Sequence, residues 1–303
     1  LNAIKFQTFK AKEFCGDPSQ TYTYKSQGKE ITEPMIEMFS RYEFANDEWG
    51  KIKEKCNSEG ITFLSTPQNY SDLELLLKLG IDAIKVGSDD LTNLPLLKKY
   101  SSTNLPIILS SGMSTLDEIS DALNTVGFFD GYPTILLVTT SQYPTPNKDV
   151  NLLKFHTLTE QFPDLPLGFS DHTIGNTAAS IACGMGSIFF EKHFTLDCNS
   201  NGPDHWFSAN PEQLKKWKNS IITSFEMLGS PEVKPTENEI ANKNEFRRYI
   251  VAKKSIMLGD LFSNENLELK RISGGNGLTG QMFEKLLNMK SNKNYKKGEK
   301  IQF

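Results

Sequence analysis

The chain has 303 residues, 38% of them hydrophobic and 23% charged, with a formal net charge of −4, which leaves room for a barrel of about 250 residues and a small appendage. An acidic balance with no long basic block excludes a nucleic-acid footprint, and no apolar run approaches the 18 or so residues needed to span a membrane. Four cysteines, Cys15, Cys56, Cys183 and Cys198, show no CxxC spacing and read as reduced thiols of a cytoplasmic protein without a signal peptide.

Apolar, β-branched runs predict strands at Ala3–Phe9, Ile61–Thr66, Ala83–Gly87, Pro106–Ser110, Thr134–Thr140, Pro166–Ser170 and Ser187–His193. Helical text fills the gaps. Ser71–Gly80 offers an N-cap serine and a stop glycine, and Thr115-Leu-Asp-Glu118 is a capping box. From Ile61 onward, strand starts recur about every 20–30 residues, the period of a βα unit. The strands are apolar throughout, as they must be when both faces are covered. A doubly wound open sheet predicts a glycine-rich phosphate turn after the first strand, and none is present. The fold class is therefore α/β, a (β/α)8 TIM barrel. Only seven strands are found and the chain begins at Leu1, so the first strand is expected upstream. The polar stretch Lys10–Tyr42 reads as a long insertion able to cover an active-site mouth. Residues 1–228 form the barrel domain, and the polar, proline-containing stretch Gly229–Glu245 reads as a linker. Phe246–Phe303 forms a small β-rich module, with runs at Tyr249–Ala252 and Leu267–Ile272 and turns at Leu258-Gly-Asp and Lys297-Gly-Glu.

Two histidines close apolar runs, His172 in Gly168-Phe-Ser-Asp-His-Thr173 and His193 in Glu191-Lys-His-Phe-Thr195, 21 residues apart. On adjacent parallel strands this spacing sets the imidazoles at one height, roughly 5 Å apart, an arrangement suited to Mn²⁺, Fe²⁺ or Zn²⁺. A single histidine at such a place is more often a polar core residue. The repetition puts the metal reading level with the packing one. Strand parity turns Ile4 and Phe6 to the helices and Lys5 and Gln7 to the lumen, and Lys85 repeats the pattern. Converging ammonium groups suit a phosphate or a carboxylate; an edge strand with a solvated face is the alternative. Hydroxyls at Ser65-Thr66, Ser110-Ser111, Thr139-Thr140-Ser141 and Ser170 form a ring of donors at strand ends or, read singly, turn and cap residues. Glu191 shares the parity of His193 and is placed to orient a metal ligand. Asp204, in Asn201-Gly-Pro-Asp-His-Trp206, suits polyol hydroxyls, although a Gly-Pro-Asp turn explains it equally well. His156 and His205 read as surface or packing residues.

These motifs resemble the N-acetylneuraminate (sialic acid) synthase family, which includes the legionaminic and pseudaminic acid synthases. The resemblance is carried by Lys5-Phe-Gln-Thr-Phe9, Ser65-Thr-Pro67, Lys85-Val-Gly-Ser88, Ser110-Ser-Gly-Met113, Tyr143-Pro144, Gly168–Thr173, Glu191–Thr195 and Gly202-Pro-Asp-His205, in that order. The C-terminal module resembles the family's antifreeze-like (SAF) domain. The resemblance implies a transferase that condenses phosphoenolpyruvate with an N-acylated hexosamine, N-acetylmannosamine or a diacetamido-trideoxyhexose, releasing phosphate. The product is a nonulosonic acid for cell-surface polysaccharide. By the same resemblance His172 and His193 hold a divalent metal, Mn²⁺ first, with Mg²⁺ and Co²⁺ as alternatives, and act with Lys5 and Lys85 as the catalytic set. Lys5, Thr66, Lys85, Ser88, Ser110 and Ser170 match phosphoenolpyruvate-binding positions. Gln7, Asp90, Tyr143 and Asp204 match sugar-binding positions. Arg271 matches an arginine lent to the partner subunit's site, so a domain-swapped homodimer is implied. The chain departs from the family at Ser141, where many members have asparagine, and at Asp90, where many have glutamate. The glutamate of the family's first strand has no counterpart here. Two further readings follow: another phosphoenolpyruvate-dependent sugar-acid synthase, and a catalytically silent sugar-binding barrel.

Overall fold

The structure is a computed structural model that describes residues 1–302. Its strands in chain order are β1 (Ala3–Thr8), β2 (Thr21–Ser26), β3 (Lys29–Pro34), β4 (Thr62–Pro67), β5 (Ile84–Lys85), β6 (Ile107–Ser110), β7 (Thr134–Thr139), β8 (Leu167–Asp171), β9 (Phe189–Lys192), β10 (Arg248–Ala252) and β11 (Leu267–Arg271). Seven of them form one sheet in the order β1-β4-β5-β6-β7-β8-β9, parallel throughout. The chain folds as two compact units, Leu1–Gly229 and the residues from Ser230 onward.

Alternation along the strands sorts side chains between two faces. The outer face packs on the helices in one large core that includes Phe63, Ile84, Leu109, Leu136 and Phe169 from strands and Trp49, Leu76, Leu97, Leu123 and Phe155 from helices. On β1, Ile4 and Phe6 join this core, with the Phe6 ring 5.9 Å from Trp49 and 5.7 Å from Phe63. The inner face has its own apolar floor of Leu64, Ile108 and Leu137, flanked by Ala3, Ala83, Ile135 and Phe189. Gly168 is required here, because a Cβ would lie 2.7 Å from the Phe189 carbonyl oxygen and collide with Leu137. The sheet is curled. Its edge strands β1 and β9 share no ladder, yet Lys5 on β1 reaches Glu191 on β9 across the concave face at 3.8 Å.

Three local expectations change. The helix Tyr70–Leu79 starts from Asn69 rather than Ser71. Asp72, at its third position, accepts the Asn69 side-chain amide at 3.0 Å, and Ser71 instead donates to Glu13 at 2.6 Å. The carboxylate supplies the stronger acceptor at that end. The stretch Lys10–Tyr42 is not one loop: it holds helices Ala11–Phe14 and Met35–Ser40 and the hairpin β2–β3, which turns at Gln27 and Gly28 with φ of 50° and 78°. The stretch read as a linker contains most of the helix Glu237–Phe246, which opens on a Thr236–Glu239 capping box. The Thr115–Glu118 capping box forms as expected, with Thr115 N–H donating to Glu118 at 2.7 Å.

The second unit pairs β10 and β11 antiparallel over a small core of Ile250, Ile256, Phe262, Leu267, Leu286, Tyr295 and Ile301. Glycines at 259 and 298 take the left-handed turn positions. All four cysteines are free thiols. Among the described residues no helix is long and apolar enough to cross a membrane.

Candidate active site

The upper concave face gathers charge from three strands, β1, β5 and β9. Lys85 on β5 is 2% exposed, and its ammonium donates to Ser110 Oγ at 2.6 Å and to the Val86 carbonyl at 2.7 Å. Burial pushes its pKa down to about 8, with the Glu191 charge resisting. Glu191 accepts from Ser170 Oγ at 3.0 Å and pairs with Lys5. Burial alone would raise its carboxyl, but Lys5 and then Lys85 outweigh burial and hold it at about 2. Two ammonium groups therefore share one carboxylate, leaving a residual positive charge inside the curl. That is the electrostatics of an anion subsite.

Beside it lies a cradle of short groups. The Gly112 N–H donates to Ser88 Oγ at 3.1 Å. Ser141 contributes a buried hydroxyl that has no hydrogen-bond partner among the described residues. A Cβ on Gly112 would sit 2.6 Å from Ser88 Oγ and collide with Ser141, so only glycine lets the two hydroxyls close on this backbone. Thr66 is buried next to Gln7 and Lys85 on this face. The wider hydroxyl ring does not hold. Ser65 faces outward to Thr8 at 2.7 Å, and Ser111 and Thr139 are spent on the Leu137 carbonyl.

The register Asp171↔Lys192 sets His172 and His193 side by side just beyond the ends of β8 and β9. Their ring centroids are 5.3 Å apart at 74°. His172 Nδ1 donates to the Thr140 carbonyl at 2.8 Å, which fixes the tautomer and leaves Nε2 as a lone pair 3.4 Å from Ser170 Oγ. Burial lowers the pKa of His172, and burial together with the charges of His172 and Lys5 takes His193 down to about 3. Both rings are neutral at pH 7, the form that binds a metal. Among the described residues no third His, Cys, Asp or Glu joins them as a metal cluster. The pair thus fits as two nitrogen donors to an ion whose other positions go to water or substrate oxygen, a mixed set that Mn²⁺ accepts. Glu191 bonds Ser170 and Lys5 rather than an imidazole directly, and the Thr140 carbonyl is the group that orients His172. Tyr143 lies over His172 at 4.3 Å, and Phe207 lies 5.1 Å from His193. Asp204 Oδ2 is 3.7 Å from His193 Nδ1.

Comparison with known proteins bears on this constellation. Residues 1–233 match the model of the NeuB family. The chain belongs to the NeuB family. It is similar to the N,N′-diacetyllegionaminic acid synthase of Campylobacter jejuni, with 37% identity over 99% of this chain and 89% of that protein. The Legionella pneumophila protein of the same name is 36% identical over 90% of this chain and 78% of its own length. Among solved structures, the N-acetylneuraminic acid synthetase of Leptospira borgpetersenii in complex with citrate superposes with a TM-score of 0.70, at 29% identity and 81% coverage of each chain.

The other expected residues of this NeuB-family chain lie at the rim of that face, in neighbouring loops or in the second unit. Gln7 points inward at the exposed rim. Asp90 ends a short 3-10 turn and accepts from Asn93 at 2.9 Å, so its carboxylate is engaged within its own loop. Its neighbour Asp89, which sequence reasoning passed over, acts electrostatically on both Lys85 and Tyr143. His205 bonds Thr195 Oγ1 at 2.7 Å and is a packing residue of its loop. Arg271 belongs to the second unit, where its Nε donates to the Phe246 carbonyl at 3.1 Å. Thr66, Lys85, Ser88, Ser110, Ser141, Ser170, Lys5, Tyr143, Asp204 and the two histidines share the concave face and its mouth.

Proposed function

We propose that the chain is a metal-dependent transferase that condenses phosphoenolpyruvate with an open-chain N-acyl hexosamine to a nonulosonic acid, releasing phosphate. One observation carries the reading: a lysine pair with one shared carboxylate lies directly beside two neutral imidazoles. The first group suits a small dianion and the second a divalent ion. Lys5, Lys85, Ser110 and the Ser88–Gly112–Ser141 cradle hold the phosphate and carboxylate of phosphoenolpyruvate, with Thr66 and Ser170 beside them. A citrate complex of a solved relative fits such an anion site. Gln7, Tyr143, Asp204 and the Asp89–Asp90 turn face the acceptor. His172 and His193 hold Mn²⁺, with Mg²⁺ or Co²⁺ in its place, and a bound divalent ion supplies Lewis-acid polarisation of the aldehyde oxygen. Carbon 3 of phosphoenolpyruvate forms the new bond to the aldehyde carbon, whose oxygen takes up a proton. Water adds at carbon 2, and phosphate departs by cleavage of the carbon 2–oxygen bond. The relatives that make N,N′-diacetyllegionaminic acid favour a diacetamido-trideoxyhexose over N-acetylmannosamine as acceptor.

The same reading takes the curled sheet as a (β/α)8 barrel, with the β9–β1 gap as the place of an eighth strand. It takes the second unit as an antifreeze-like module whose Arg271 serves the partner subunit in a domain-swapped homodimer. The free thiols suit the cytoplasm. The test is phosphate release from phosphoenolpyruvate with each sugar, before and after metal removal by chelation, with mass spectrometry of the product. Release should require both sugar and metal. No release with any N-acyl aldose, in an assay where an established synthase turns over, overturns the proposal.

A further inference from the structure

The hairpin β2–β3 is polar along its length, yet it is tied down at both ends. Tyr24 donates to Glu33 at 2.6 Å, and Arg41 Nη1 bonds the same carboxylate at 2.7 Å. At the other end Ser26 Oγ donates to Asn201 Oδ1 and accepts the Gly202 N–H, both at 3.1 Å, and Gln27 Nε2 donates to the Asn199 carbonyl at 3.0 Å. Lys25 Nζ lies 5.0 Å above the Trp206 ring. All four contacts fall on the loop that follows β9, the loop that carries Asp204. Trp206 meets Phe207 edge-on at 5.7 Å, and Phe207 packs on His193. The hairpin is thus a fixed wall of the mouth above the histidine pair.

Tyr22 lies on the same face of this wall as Tyr24, whose ring stacks on it at 5.9 Å and 22°. Its hydroxyl makes no hydrogen bond among the described residues. We infer that Tyr22 is a contact for the acceptor sugar: its ring packs against the N-acyl group and its hydroxyl bonds a polar group of the sugar held between it and Asp204. Tyr143 and Asp204 both border His193, at 5.5 Å and 3.7 Å, and the hairpin that carries Tyr22 is bonded to the loop that carries Asp204. Burial and the Asp204 charge both raise the Tyr22 phenol. Two phenol rings flanking a carboxylate offer apolar faces and hydrogen bonds together, the combination an N-acylated polyol requires. The inference deepens the condensation reading and rests on it.

The test uses the full chain with Tyr22→Ala and Tyr22→Phe, and with Thr23→Val as control, since Thr23 bonds Thr32 on the hairpin's other face. Steady-state kinetics in both substrates are combined with a tryptophan-fluorescence titration of the sugar alone, to which Trp206 responds. Tyr22→Ala should raise KM and Kd for the sugar about tenfold, and Tyr22→Phe about threefold, with the KM for phosphoenolpyruvate unchanged. Thr23→Val should match the wild type. An unchanged sugar KM, or an equal rise in both KM values, overturns the inference. If Tyr22→Ala does not fold, Tyr22→Phe decides by the same measure. Wild type that binds sugar without condensing it overturns the condensation reading alone, and the titration still judges Tyr22. Wild type that neither condenses nor binds any N-acyl aldose overturns both.

Discussion

Replacing Glu191 with glutamine removes one charge from the centre of the site and keeps its shape and its bond from Ser170. The carboxyl sits at about 2 in the folded chain against an ordinary 4.5, which corresponds to about 3 kcal/mol of stabilisation. A gross Coulomb figure is of the same order. An ammonium at 3.8 Å is worth about 4 kcal/mol at an effective dielectric constant near 20, before the burial that works against the ionised form is subtracted. The folded value is the depressed one, so this stability is present in full above pH 4.5 and is lost as pH falls from 4.5 through 2. Urea unfolding followed by tryptophan fluorescence isolates the relevant unit, because Trp49, Trp206 and Trp217 all lie before Gly229. Glu191→Gln should be about 3 kcal/mol less stable than wild type at pH 7, and the gap should narrow steadily below pH 4.5. A gap under about 1 kcal/mol at pH 7, or one that does not change between pH 6 and 3, would refute the account of two lysines held by one carboxylate.

Three other outcomes follow from the same geometry. Lys85 is charged below about 8 and neutral above it, so the KM for phosphoenolpyruvate should be flat to pH 8 and then rise about tenfold per pH unit; a profile flat to pH 9.5 contradicts this role. Gly112→Ala should force Ser88 and Ser141 apart, costing about 1–3 kcal/mol in thermal unfolding and raising the phosphoenolpyruvate KM, with the sugar KM unmoved. Asp171 is wholly buried and accepts from Lys192 at 2.9 Å, Trp217 Nε1 at 2.8 Å and Thr173 Oγ1 at 2.7 Å. Asp171→Ala leaves a buried ammonium unpaired and should cost about 3–5 kcal/mol by urea unfolding.

The parallel sheet was legible because its strands are unbroken apolar runs, and the βα period placed six of the seven starts from Ile61 onward. Parity then separated Lys5 and Lys85 from the outward Ile4 and Phe6. The hairpin escaped notice for a physical reason. Thr-Tyr-Thr-Tyr-Lys-Ser has no apolar face of its own, and Ser26 is anchored by a loop 175 and 176 residues away. Its local signal, Gln27-Gly28 between alternating residues, is weak. Individual hydroxyls were equally hard to sort, because Ser65 and Thr66 differ only in parity. Asp89 and Asp90 differ only in where a one-residue step along a 3-10 turn sends each carboxylate.

That two-residue period also explains how the motif around each histidine serves two ends. In Ser170-Asp171-His172 the odd member turns outward, and in Glu191-Lys192-His193 the middle residue does the same. The inward residues meet: Ser170 bonds Glu191, and His172 stands beside His193. The outward residues also meet, as the buried Asp171–Lys192 pair closed by Trp217 from the helix Pro211–Leu228 and by the Thr173 carbonyl. One register, Asp171↔Lys192, therefore fixes both contacts at once. A slip of one residue would exchange the ion pair with the imidazoles and destroy site and anchor together. The geometry of that buried pair offsets part of its desolvation cost and is compatible with this register alone, the one on which the histidine spacing depends.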